Sequence, residues 1–286
     1  MPLPGPFDAF FVRPGHGGQR LCVLTPPVGA MRGAVLHVHA FAEEMNKSRR
    51  MVARTARALA GAGFAVLQID LLGCGDSDGE FADATWATWQ ADVCWAASWL
   101  TQRYAAPLWL WGHRAGALLA SACAPAIGRD CHLLFWNPLI QGKAIPQQFV
   151  RMKAAAAWAT GDGKAAGQGV KAELAAGRVV EIAGYGLSPV LVREIEAAVL
   201  VPPALPDGTA APRVVWLEVA GREGEPVLSP AAEMQLAQWR TAGYRASALA
   251  VAGPAFWQTV EIEDAPALID ATVQAVCEVD VLSSPA

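Results

Sequence analysis

Gly112-His113-Arg114-Ala115-Gly116 has the glycine spacing of a nucleophile elbow, G-x-S-x-G, where two glycines let a strand and the following helix approach without side-chain clash. Leu108 to Trp111 is a short apolar run that reads as a buried parallel strand, and Ala117 to Cys123 opens a helix with small residues. The nucleophile's position holds Arg114. A guanidinium has no lone pair to offer and stays protonated at any ordinary pH. The histidines, His16, His37, His39, His113 and His132, all lie in the first half of the chain, so none stands late in the sequence as a general base. The frame for covalent catalysis is present without its reagent.

Other residues offer partial chemistry. Glu43 and Glu44, with Asn46, Lys47 and Ser48, make the densest polar cluster on a loop expected to face a site. One carboxylate can act as a general base if burial raises its pKa; otherwise the pair marks a salt-bridged helix start capped by Asn46 or Ser48. Cys74, in the loop Leu71 to Gly79, is the one cysteine expected at a strand's carboxyl end, which makes it the substitute nucleophile by position. With no histidine beside it, a quiet thiol is the competing reading. Ser77 with Asp76 reads as support for the glycine-rich turn. His37 and His39 share a strand face, but two ligands without a third do not make a metal site. Gly73-x-Gly75 opens no helix, so it makes no dinucleotide site, and no cofactor is expected.

Composition narrows the class. Of 286 residues, 53% are hydrophobic and 17% charged, enough for a large core and against disorder. A net charge of −4 gives no reason to expect nucleic acid as a partner. No apolar run is long enough for a membrane span, and Met-Pro-Leu-Pro-Gly-Pro has neither a basic nor an apolar leader region. The cysteines are scattered without a C-x-x-C pair, as expected of reduced thiols in a cytoplasmic protein.

The elements that must position these groups follow a βα rhythm. Phe7–Arg13 and Arg20–Leu24 predict an N-terminal hairpin, and Gly33–His39 a central strand. A helix is expected over Lys47–Ala62, a strand over Phe64–Asp70 and a helix over Thr85–Tyr104. The last carries Trp86, Trp89, Trp95 and Trp99 as a core stripe. Cys131–Trp136, Arg213–Val219 and Ala246–Val251 predict further strands, with helices over Pro230–Thr241 and from Ala265. Between them, 142–212 breaks the rhythm. It holds an Ala-rich helix (Gln147–Thr160) and a Gly-rich joint (Gly161–Gly169), and reads as a lid inserted into a core made of 1–141 and 213–286. The whole predicts a mostly parallel sheet of about eight strands flanked by helices.

His39-Ala-Phe, Asp70-Leu-Leu-Gly-Cys-Gly-Asp-Ser77 and the elbow, followed by an insertion and two βα units, resemble the α/β-hydrolase superfamily over nearly the whole chain. More narrowly, His39–Arg50, Trp109–Gly116 and Gly253-Pro-Ala-Phe-Trp-Gln-Thr-Val-Glu261 resemble the exosortase A system-associated hydrolase 2 family. The resemblance implies a bacterial gene set for exopolysaccharide production and protein sorting.

On such a fold, acyl transfer needs a histidine after the last strand and an acid that orients it. The histidine loop reads Gly253-Pro-Ala-Phe-Trp257, and the acid loop offers only Glu223 or Glu225. The Ser-His-Asp mechanism is excluded. The anion-binding half survives in outline. The Ala115 N–H and that of Ala40 or Phe41 would form the oxyanion hole, and Arg114 adds a positive charge. His39, His113, Asn137, Phe256 and Trp257 are expected around it. The expected ligand is a small-molecule or carrier-linked acyl or aminoacyl group, and a dimer with itself or with a related active hydrolase is an expected assembly. Two readings of Arg114 stand together: a clamp for an anionic or carbonyl oxygen, or a charge neutralised by Glu43 or Glu44 in a dead pocket. An unusual ester or thioester hydrolase using Cys74 or a Glu43/Glu44-activated water is the alternative.

Overall fold

The strands read as continuous apolar runs because both faces of the sheet are covered. The alternation of side chains sorts them into two cores. Leu108, Leu110, Leu133, Phe135, Val214 and Trp216 point to one side, and Trp109, Trp111, Leu134, Trp136, Val215 and Leu217 to the other. The computed structural model describes residues 6–128, 131–158, 163–206, 208, 210–221 and 225–278.

In chain order the elements are β1 (Asp8–Val12), β2 (Arg20–Thr25), β3 (Gly33–Val38), α1 (Glu43–Gly61), β4 (Phe64–Ile69), α2 (Trp86–Arg103), β5 (Leu108–His113) and α3 (Ala115–Ile127). There follow β6 (Cys131–Trp136), α4 (Ala144–Trp158), α5 (Gly163–Ala175), β7 (Val180–Ile182), β8 (Tyr185–Leu187), α6 (Pro189–Ala197), β9 (Arg213–Val219), α7 (Pro230–Thr241), β10 (Arg245–Val251) and α8 (Pro266–Cys277). Eight strands form one sheet in the order β1-β2-β4-β3-β5-β6-β9-β10. β2 runs antiparallel to β1 and β4, and the remaining pairs are parallel. Helices α1 and α8 cover one face; α2, α3 and α7 cover the other. The mostly parallel α/β sheet expected from the sequence is thus observed.

The chain crosses from one face to the other around β3, whose neighbours are β4 and β5. The carboxyl ends of β3 and β5 therefore lie side by side, with Val38 opposite Gly112, at the switch point where open α/β sheets hold ligands.

Three local expectations are corrected. Helix α1 starts at Glu43, four residues before the expected Lys47, and neither Asn46 nor Ser48 caps it. Its N-cap is Ala42 at φ 52°, ψ −127°; the Ser48 hydroxyl instead donates to the Glu44 carbonyl. The Ala-rich helix starts at Ala144 rather than Gln147. The expected joint Gly161–Gly169 is helical from Gly163 onward, as α5, which packs against α4. Residues 159–162 lie outside the described residues.

Candidate functional site

The elbow forms as its spacing requires. A Cβ on Gly116 would stand 2.1 Å from the Val38 carbonyl oxygen, and one on Gly112 2.5 Å from Ala117 Cα. Between them Arg114 is held at φ 53°, ψ −114°, a backbone region that costs a non-glycine residue roughly 1–3 kcal/mol. Ala42, at the start of α1, repeats that geometry. Two strained turns thus stand at the ends of neighbouring strands.

From the elbow the Arg114 side chain turns into a half-enclosed niche. Its Nη1 donates to the Asn137 carbonyl at 3.2 Å, and its Nη2 reaches Glu44 Oε1 at 3.5 Å. Its guanidinium carbon lies 5.3 Å from the centre of the Trp257 ring, within cation–π range. Nε is buried without a partner. The ion pair is long, and one edge of the donor fork is unused.

Glu44 and Trp257, which touch the guanidinium, also line a cavity of about 260 Å³ whose lining does not include Arg114 itself. Glu44, Lys47 and Glu43 of α1 form one wall with Trp257 and Gln258, and Ile145, Phe149 and Met152 of α4 supply an apolar one. The turn and start of β8, Ala183 and Tyr185, close a third side. Tyr185 donates to Glu43 Oε2 at 3.2 Å and accepts from Asn46 Nδ2 at 2.9 Å. Burial and Glu43 push the Tyr185 phenol up to about 12. Tyr185 and the α4 residues carry no sequence motif; the glycines flanking Tyr185 were the one signal of a turn there.

The expected oxyanion position has little room. His39, Ala40, Phe41, Ala115 and Gly116, with Trp86, Trp89, Leu71 and Leu119, enclose only about 10 Å³. That is roughly space for one water. Phe41 fills it from above, in edge contact with Phe81, Trp89 and Phe149. The N–H groups of Ala115 and Gly116 are still helix-start donors without an intrahelical acceptor.

The histidines serve the structure. His39 Nδ1 lies 2.7 Å from the Ala40 carbonyl, and the Leu71 N–H points at Nε2, which fixes the neutral ring with its proton on Nδ1. Burial lowers the His39 pKa. His113 and Phe256 lie behind Trp257 in the core, stacked at 5.5 Å. Burial, then the Arg114 charge, holds His113 well below the usual histidine range, and neither ring nitrogen has a partner. His37 is likewise held low by burial.

Asn137, at φ 41°, presents its carbonyl to Arg114 while its Oδ1 accepts the Val219 N–H. It positions the guanidinium. Cys74 lines a separate groove of about 520 Å³ beyond Tyr185, and burial together with Asp70 and Asp92 pushes its thiol well up. Ser77 donates to the Asp70 carbonyl and accepts from Leu21, so it ties the glycine-rich turn to β2. Glu225 is exposed, and Glu223 lies outside the described residues. Among the described residues no three His, Cys, Asp or Glu side chains are grouped to hold a metal, and no helix is long and apolar enough to cross a membrane.

Residues 29–171 match the family model of the serine aminopeptidase S33 hydrolases. Est1E of Butyrivibrio proteoclasticus with ferulic acid bound superposes with a TM-score of 0.59 at 16% identity, over 94% of this chain and 96% of that one. A thermostable carboxyl esterase of Bacillus coagulans gives 0.58 at 13% identity, over 86% and 90%. Mouse alpha/beta hydrolase domain-containing protein 10 gives 0.55 at 14% identity, over 94% and 96%. These likenesses are of fold. No curated protein matches the sequence.

Proposed function

The chain belongs to the serine aminopeptidase S33 family of α/β hydrolases, and from that premise we propose that it binds an acyl-type ligand rather than cleaving one. The observation that carries this reading is Arg114 at the strained elbow, held by a long ion pair to Glu44 and by the Trp257 ring, two residues that line the cavity. A nucleophile at that position would attack a carbonyl; a guanidinium there holds an oxygen. The ligand's anionic or carbonyl oxygen sits on Arg114, sharing or displacing Glu44, and its apolar part lies against Phe41, Ile145, Phe149, Met152 and Trp257. The 142–212 segment serves as the cap of this site, since α4 and the β7–β8 turn supply much of its wall.

Several features support binding over catalysis. The loop after β10 contains no histidine, and His113 is buried and neutral. The Cys74 thiol is raised, which works against the thiolate that attack requires. Glu43 is already bonded by Tyr185 and Asn46. The resemblance to the exosortase A system-associated hydrolase 2 family supports a finer reading: a cytoplasmic binder of an acyl, aminoacyl or carrier-linked group in an exopolysaccharide gene set, acting beside a related active hydrolase.

The test pairs turnover with binding. The protein should not hydrolyse p-nitrophenyl esters or acyl N-acetylcysteamine thioesters, yet should bind the thioesters saturably by calorimetry. Arg114→Ala should weaken binding about 10- to 100-fold, the worth of one charge-assisted hydrogen bond. Arg114→Ser should gain no activity. Turnover abolished by Glu44→Gln or Cys74→Ala would overturn the reading, as would binding indifferent to Arg114→Ala.

A further inference from the structure

Away from the cavity, α2 and α3 lie directly against each other, and each brings a cysteine to their contact. Cys123 Sγ stands 3.8 Å from the Gln90 carbonyl oxygen. Gln90 is one helical turn before Cys94, so its carbonyl and the Cys94 side chain share one face of α2. Cys123 Sγ, donating to that carbonyl, is thus brought to the same face of α2 as the Cys94 side chain. Both are reduced; Cys94 is half-buried and Cys123 buried.

We propose that Cys94 and Cys123 are a reversible redox pair that closes into a disulfide between α2 and α3. Cys94 is the attacking member. It is the more accessible thiol, and the Cys123 thiol beside it draws its pKa down, which favours the thiolate that attacks. Cys123 is pushed up by the neighbouring Cys94 and by burial, and stays a thiol until called on. With a low-molecular-weight disulfide as oxidant, Cys94 thiolate attacks one sulfur. The oxidant's S–S bond breaks, a mixed disulfide forms and one thiolate leaves. Cys123 then gives up its proton and attacks the Cys94 sulfur, expelling the second thiol. The protein loses two electrons and two protons, and the oxidant is reduced to two thiols.

The bond would join the helix that carries Trp86 and Trp89 to the helix headed by the elbow. These same helices wall the small space behind Arg114, so oxidation would fix its width.

The experiment treats the folded protein with glutathione disulfide, quenches in acid, and counts thiols after denaturation. Two of the six thiols should disappear and return with dithiothreitol. Peptide mapping should link the segment 58–103 to 115–129, with fragmentation placing the bond on Cys94 rather than Cys74. Cys123→Ser should instead accumulate a stable glutathione adduct on Cys94, and Cys94→Ser should leave Cys123 a free thiol. No loss of thiols, a bond through Cys74 or Cys131, or a wild-type protein that stops at the Cys94 adduct would each overturn the proposal.

Discussion

The guanidinium of Arg114 lies over the face of Trp257, 5.3 Å from the ring centre, so the elbow residue and the loop that follows the last strand are joined by a cation–π contact. The elbow between β5 and α3 and the loop after β10 thus meet as a cation and the ring that supports it.

That contact makes Trp257 structural as well as cavity-lining. It is almost fully buried, packed edge-on against Phe256 and His113. Trp257→Ala should cost ~3–5 kcal/mol by urea unfolding, as large aromatic truncations do. Trp257→Phe keeps a ring under Arg114 and removes an indole N–H that has no partner, so its cost should stay within ~2 kcal/mol. Equal losses for the two variants would show that the ring face is not what matters.

Much of this was legible before any coordinates. The elbow glycines, the succession of strands and helices along the chain and the missing histidine follow from spacing and residue type; a Cβ at Gly116 cannot coexist with the Val38 carbonyl. The partner of Arg114 was open between Glu43 and Glu44. The strained Ala42 turn decides it by starting α1 early enough to aim Glu44 at the guanidinium. Tyr185 was invisible because a two-stranded turn in an inserted segment has no periodicity to read. The Arg20–Asp92 pair was equally hidden, since its members are 72 residues apart and only the fold brings them together.

His113 should leave a signature in the pH dependence of stability. Its folded pKa is well below 6.5, as is that of His37, and His39 is also lowered. The unfolded chain therefore binds protons that the folded chain refuses. Stability is full above about pH 6.5 and falls as the pH drops below it, by up to ~1.4 kcal/mol per pH unit for each such histidine. His113→Phe keeps the aromatic stacking on Phe256 and removes one of these sites. Urea midpoints between pH 7.5 and 5 should fall less steeply in this variant than in the wild type; an unchanged slope would mean His113 is accessible to protons.

Asp92 is the buried charge that ties the start of β2 to the loop after β4. It is fully buried and accepts from Arg20 Nε with both oxygens, at 2.8 and 2.9 Å, and from the Leu72 N–H. Asp92→Ala strands a buried guanidinium and should cost ~3–5 kcal/mol. Removing both charges, as Arg20→Met with Asp92→Leu, should cost less, because no buried charge is then left unpaired and only the Leu72 N–H and His16 lose a partner. A double variant as unstable as the single one would place the loss in the Leu72 contact instead.

The hydroxyl of Tyr185 is what fastens the β7–β8 turn to the start of α1, through Glu43 and Asn46. Glu43 is exposed, so the bond competes with water, and its global contribution should be no more than ~1 kcal/mol. The local effect should be larger in kind. Tyr185→Phe leaves the ring on Phe81 but releases the turn, so amide exchange over 180–187 should speed up while β5 and α3 keep wild-type protection. If the cavity lies under a cap that this bond holds shut, the variant should also bind and release acyl thioesters faster with little change in Kd, a stopped-flow result that unchanged rates would contradict.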